Sequence, residues 1–276
     1  MSFKTLSVRC ASDFKDLLIA ELSILECDAI EELETGILAS FEMEKWPESE
    51  IESLLIKYEQ HISDYSIEEV ERVNWNQAWE KNFDPVEVES RCIIKAPFHT
   101  IHKEYDHEII IMPQMSFGTG HHATTYQIVD LLLDLDLNGK SVIDLGAGTG
   151  VLAILSKKLG AAYTEATDID DWCVENTKEN ASLNDIQIDK ISKGAVRDLV
   201  IDRQFDLVIA NINKNVLLDE MPDYVELLAD NARLLLSGFY ESDIEDLKNL
   251  ASQYSLVLER QSIRDQWAAL QFNRNL

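Results

Sequence analysis

The chain has 276 residues, 46% of them hydrophobic, enough for one large globular domain or two smaller ones. It carries 51 acidic residues against 24 basic ones, a formal net charge of -27 at pH 7. A nucleic-acid binder presents a basic face, so direct docking on bare RNA or DNA is disfavoured, whereas a basic protein partner suits this field.

Residues 1–73 read as a small α+β domain. Phe3 to Arg9 alternates like a strand, and Ser12 is placed to cap a helix carrying Phe14, Leu17, Leu18, Leu22 and Leu25 at helical spacing. Ala29–Glu34 and Gly36–Glu42 predict two strands, Pro47–Gln60 a second helix, and Tyr65–Val73 a last strand. That β-α-β-β-α-β order is the ferredoxin-like pattern. Residues 74–90 break it: Asn74-Trp75-Asn76-Gln77-Ala78-Trp79 is aromatic and polar, and Asp84-Pro85 favours a turn. This segment is expected to be a linker, with Trp75 to Asp84 as a hinge.

Residues 91–276 form the second expected domain. Cys92–Pro97 and Glu108–Met112 read as strands, and Tyr126–Leu135 as a helix. Strands and helices then alternate, which predicts an α/β layered sheet. The strands are Ser141–Leu145, Tyr163–Ile169, Ile186–Ser192, Phe205–Asn211 and Ala232–Ser237. The helices are Val151–Leu159, Trp172–Leu183, Val216–Ala229 and Ile244–Gln253. Ser255–Ile263 and Trp267–Phe272 follow with no helix between them, which implies an antiparallel hairpin at one sheet edge.

Cys10, Cys27, Cys92 and Cys173 are scattered without a C-x-x-C pair, which argues against a zinc site or a disulfide framework. Residues 1–25 have no basic start followed by a long apolar run, and no apolar stretch approaches the ~20 residues that cross a bilayer. A cytoplasmic monomer is expected.

The chemistry concentrates at the carboxyl ends of the strands, where open α/β sheets bind ligands. Asp144-Leu145-Gly146-Ala147-Gly148-Thr149-Gly150 runs from strand into helix. Its spacing is D-x-G-x-G-x-G, not the G-x-G-x-x-G of dinucleotide-binding dehydrogenases. Closely spaced glycines behind an Asp suit S-adenosylmethionine, whose amino-acid tail is cationic and which has no pyrophosphate. Asp168 closes the second strand and can accept from both ribose hydroxyls. Asn211 ends the fourth, where its carbonyl can orient an amine toward a methyl donor. Thr125 lies in a helix's first turn, where its hydroxyl can meet the carboxylate of a methionine moiety. His121 and His122 are adjacent, and His99, His102 and His107 are loosely spaced, so no metal is expected.

The run Phe117-Gly118-Thr119-Gly120-His121-His122-Ala123-Thr124-Thr125 resembles the F-G-T-G-T-H-P-T-T signature of the bacterial ribosomal protein L11 methyltransferases. The glycine motif, Asp168, Ala210-Asn211-Ile212, Leu236-Ser237-Gly238 and the W-x-x-x-W-x-x-x-F spacing from Trp75 to Phe83 are similar in order and spacing. The resemblance implies a seven-strand Rossmann-like class I methyltransferase domain behind a small substrate-recognition domain. It implies transfer of methyl groups from S-adenosylmethionine to lysine side-chain and N-terminal amines of ribosomal protein L11, a basic protein. Cofactor contacts are implied at Thr125, Gly146, Asp168 and Asn211; Asp144 and Gly148 join them from the motif. His121, Ala123 and Asn213 depart from the family pattern. Two rival readings stay open: a class I methyltransferase acting on another protein or a small amine, and a silent S-adenosylmethionine-binding module. A nicotinamide dehydrogenase is disfavoured by the glycine spacing and the terminal strand pair.

Overall fold

The computed structural model describes residues 2–25, 27–71, 83–114, 116–200 and 202–274. It divides into two compact units, residues 1–82 and 83–276. The hinge reading, with Trp75 and Trp79, lies outside the described residues.

The first unit runs β1 (Ser2–Cys10), α1 (Lys15–Ile24), β2 (Ala29–Leu33), β3 (Gly36–Glu42), α2 (Glu48–Lys57) and β4 (Ile62–Glu71). Its antiparallel sheet has the order β2-β3-β1-β4. Alternation places Leu6, Val8, Ile37, Ala39 and Phe41 on one face, where they bury against Leu18, Leu22, Ile51 and Leu54 of the helices. Ser12 does not cap α1. Ser12–Phe14 form a 3-10 turn, and the helix begins at Lys15 without a side-chain cap.

The second unit opens with β5 (Val86–Val88), β6 (Cys92–Lys95) and β7 (His107–Ile110) in a three-stranded sheet. β5 falls inside the segment read as linker, whose residues 83–90 belong to this unit. Then come α3 (Ala123–Leu133), β8 (Ser141–Leu145), α4 (Val151–Lys158), β9 (Tyr163–Asp168), α5 (Asp171–Leu183) and β10 (Lys190–Lys193). The chain continues through β11 (Phe205–Asn211), α6 (Lys214–Leu227), β12 (Leu228–Tyr240), α7 (Ile244–Gln253), β13 (Leu256–Arg264) and β14 (Trp267–Arg274).

These strands form a seven-stranded sheet in the order β10-β9-β8-β11-β12-β14-β13. β14 is antiparallel to both of its neighbours, and the other pairs are parallel. Side chains of β8 and β11 alternate between two cores. Val142, Leu207 and Ile209 face α3 and α4, while Ile143, Leu145, Val208 and Ala210 face Leu217 and Met221 of α6. Burial on both faces is why these strands read as continuous apolar runs.

β10 is shorter than the predicted Ile186–Ser192. Ile186 donates its N–H to the Ala181 carbonyl, closing the end of α5, so the apolar signal there comes from helix-end packing. α6 begins before Val216 because Asn213 Oδ1 accepts the Val216 N–H at 3.2 Å. No helix among the described residues is long and apolar enough to cross a membrane.

Candidate active site

Sheet order reverses between β8 and β11, and the carboxyl ends there open into a cleft of about 540 Å³. Gly146, Gly148, Asp168 and Asn211 line it together, as the strand-end reading expected. The cleft is elongated. Ala195 and Val196 follow β10, Asp168 ends β9, the glycines follow β8, Asn211 ends β11, and Trp267 begins β14. Five strand intervals at ~4.8 Å separate its two ends by roughly 24 Å.

The glycine turn is fixed from three sides. Asp168 Oδ2 accepts the Gly148 N–H at 2.9 Å, and Asp168 Oδ1 accepts that of Asp170 at 3.1 Å. From α5, Thr177 donates to the Gly148 carbonyl at 3.0 Å and Asn180 to that of Thr149 at 2.9 Å. From the other signature run, the Phe117 carbonyl accepts the Thr149 N–H at 2.9 Å, and Gly118 accepts the Thr149 hydroxyl at 2.7 Å. Gly148 has φ +56°, and a Cβ there would lie 2.2 Å from the Phe117 carbonyl oxygen. Only glycine allows that approach.

Asp144 and Thr125 do not line the cleft; each stands behind it. Asp144 is 1% exposed, and its Oδ2 accepts the Ala153 N–H at 3.2 Å, which caps α4. Burial, reinforced by the Asp168 charge, pushes its carboxyl up to about 7. Thr125 is fully buried and its Oγ1 accepts from Asn211 Nδ2 at 3.4 Å. Thr124 takes the lining position instead. Asn211 is thereby held by its amide nitrogen, while its Oδ1 is buried without a hydrogen-bond partner. A buried acceptor without a partner, on a residue that lines the cleft, calls for a donor.

The histidines do not converge on one point. His121 bonds Thr119 Oγ1 and the Asp84 carbonyl. His122 Nδ1 accepts the Thr124 N–H at the start of α3, and burial lowers its pKa, which keeps the ring neutral. Ala123 occupies the first helical position, where proline is favoured, so the family's residue there has a helix-starting role. Asp168, Asp170 and Cys173 bring ligand atoms within 4.8 Å of one another, but burial pushes the Cys173 thiol up and keeps it protonated.

Trp267 and Glu220 are among the lining groups that escaped the strand-end reading. Trp267 begins an antiparallel strand, so its first residue sits at the same edge as the others' last. Its ring packs on His122 at 4.5 Å and Tyr240 at 4.2 Å. The reversed direction of the terminal hairpin was the signal that could have found it. Glu220 lies on α6 and carried no sequence signal.

The strand order, with its single reversed strand, and the glycine, Asp168 and Asn211 arrangement define a class I S-adenosylmethionine-dependent methyltransferase. The elongated cleft, with its carboxylate one strand in from the β10 end and the unpartnered amide oxygen of Asn211 in its wall, fits that cofactor's shape and donors. The chain belongs to the ribosomal protein L11 methyltransferase (PrmA) family, whose profile matches residues 11–275. A ribosomal protein L11 methyltransferase of Porphyromonas gingivalis is 45% identical over 260 residues, covering 93% of this chain and 90% of that protein. One from Bacteroides fragilis is 38% identical over 267 residues, covering 95% of each. The crystal structure of ribosomal protein L11 methylase from Lactobacillus delbrueckii subsp. bulgaricus matches at 26% identity and a TM-score of 0.65. It covers 70% of this chain and 100% of that one.

Proposed function

We propose that the protein methylates lysine side-chain and N-terminal amines of ribosomal protein L11, in the cytoplasm. The relatives' shared name supports the substrate, and residues 1–73 serve its recognition in this reading. The observation that carries the chemistry is the buried, unpartnered Oδ1 of Asn211. Bound in the cleft, S-adenosylmethionine supplies a methyl group already activated on a positively charged sulfur.

The chain's own residues do the rest. Asp168 has lone pairs left after its two backbone contacts and accepts ribose hydroxyls. Gly146 and Gly148 line the cleft with backbone, and the space their side chains would take is filled by Ile212 and the Phe117 carbonyl. Thr125 fixes the Asn211 amide, and Asp144 steadies the turn from behind. Asn211 Oδ1 accepts one N–H of the incoming amine and so aims its lone pair. A lysine must first lose a proton from a reference pKa of ~10.4, and the half-enclosed cleft disfavours the ammonium. In this reading the proton passes to water, and rate comes mainly from alignment.

Intact-mass spectrometry of ribosomal protein L11 incubated with protein and S-adenosylmethionine tests this. A ladder of added methyls, strongly reduced by Asn211→Ala, is expected. No mass change, with S-adenosylmethionine bound, would shift the substrate to another protein or leave a silent binding module. Full turnover by Asn211→Ala would remove the role given to that amide.

A further inference from the structure

Glu220 is a carboxylate that the proposed reaction does not use. It is 9% exposed and lines the cleft one helical turn beyond Val216. Tyr224, fully buried on the next turn, donates its hydroxyl to Oε2 at 2.7 Å. No lysine, arginine or histidine makes an ion pair with Glu220 among the described residues. That phenol takes up one oxygen of the carboxylate and leaves acceptor lone pairs for a donor from a ligand in the cleft.

Its place along the cleft says which part of a ligand that is. α6 leads from the carboxyl edge at β11 back to the start of β12, so Glu220 lies roughly 10 Å along the helix from Asn213. This part of α6 is fastened to the β10 side: Arg197 pairs with Asp219 at 2.6 Å and Asp223 at 2.7 Å. Arg197 directly follows Val196, another lining residue. Glu220 therefore lies on the part of α6 that is tied to the segment following β10, where Ala195 and Val196 also line the cleft. A ligand with its ribose at Asp168 and its sulfonium near Asn211 extends its base toward β10.

We propose that Glu220 is a specificity-determining residue that accepts a hydrogen bond from the exocyclic amino group of adenine, with Tyr224 as its positioning residue. An ionised carboxylate accepts and cannot donate. It favours the adenine amino group and repels the carbonyl oxygen that hypoxanthine carries at the same position. The inference rests on the cofactor placement proposed above.

Calorimetric binding of S-adenosylhomocysteine and S-inosylhomocysteine tests it without turnover. The unaltered protein should prefer the adenine ligand by about tenfold or more, the scale of a hydrogen bond to a charged group. Glu220→Gln keeps the side chain's shape and can still accept from Tyr224. Its amide can also donate to the hypoxanthine oxygen, so the preference should fall to about twofold or less. Glu220→Leu, judged by circular dichroism for fold, should also lose it. An unchanged preference in a folded variant, or none in the unaltered protein, overturns the inference. Asp168→Ala tests the placement separately: undiminished S-adenosylhomocysteine binding there would overturn the placement itself.

Discussion

Asp144 shows how a single residue can tie the site to stability. Its ordinary carboxyl value is 3.8, which the unfolded chain keeps, while the folded protein holds the proton up to about 7. The folded state is thus favoured most below 3.8, and stability drains away as pH rises toward 7. Asp144→Asn keeps an acceptor for the Ala153 N–H and removes the buried charge. The stability difference between variant and unaltered protein should move in the variant's favour by about 3 kcal/mol from pH 5 to pH 8. Urea denaturation at both pH values, without cofactor, checks this; a pH-independent difference would mean that Asp144 is not the titrating group. The same residue marks what sequence could and could not show. Asp168, Gly146, Gly148 and Asn211 were legible because strand ends at a switch point share one edge. Which side of the turn Asp144 and Thr125 face was not, because both lie one layer behind the cleft, where neighbours from α4 and β11 decide the contact. Glu220 was invisible because a charged residue on a helix ordinarily faces solvent.

The glycine turn and the Phe117 to Thr125 run are separate in sequence and act as one element. The Phe117 and Gly118 carbonyls grip Thr149, so the turn cannot move without the run. Gly148→Ala drives a Cβ into the Phe117 carbonyl and should open this junction. Affinity for S-adenosylhomocysteine should fall by about tenfold or more, with a lower melting temperature. Gly139→Ala is the matched control, since its φ is +74° but nothing lies within 4 Å of the new Cβ. It should cost about 1 kcal/mol of backbone strain and leave binding unchanged. Equal binding losses in both would show that strain, not the junction, sets affinity. Elements with a full period were legible: β8, β11 and α7 run where the pattern put them. β5 was not, because three residues beside Pro85 carry too little alternation to separate a strand from a turn. The cut at residue 90 followed from that, since the chain rejoins a folded unit at Phe83.

At the scale of the whole molecule, charge links the fold to its proposed substrate. A net charge of -27 creates a negative field around the protein. Ribosomal protein L11 is basic, and opposite fields raise the encounter rate before any specific contact forms. S-adenosylmethionine is small and its recognition is local, so that step should feel little of this field. The two substrates should therefore separate under salt. Between 50 and 300 mM sodium chloride the KM for ribosomal protein L11 should rise several-fold as screening shortens the field's reach from above ~10 Å to below it. The KM for S-adenosylmethionine and kcat at saturation should stay within about twofold. Initial rates against each substrate at both salt concentrations check this. A salt-independent KM for ribosomal protein L11 would assign the acidity to solubility alone, with recognition left to shape and apolar contact.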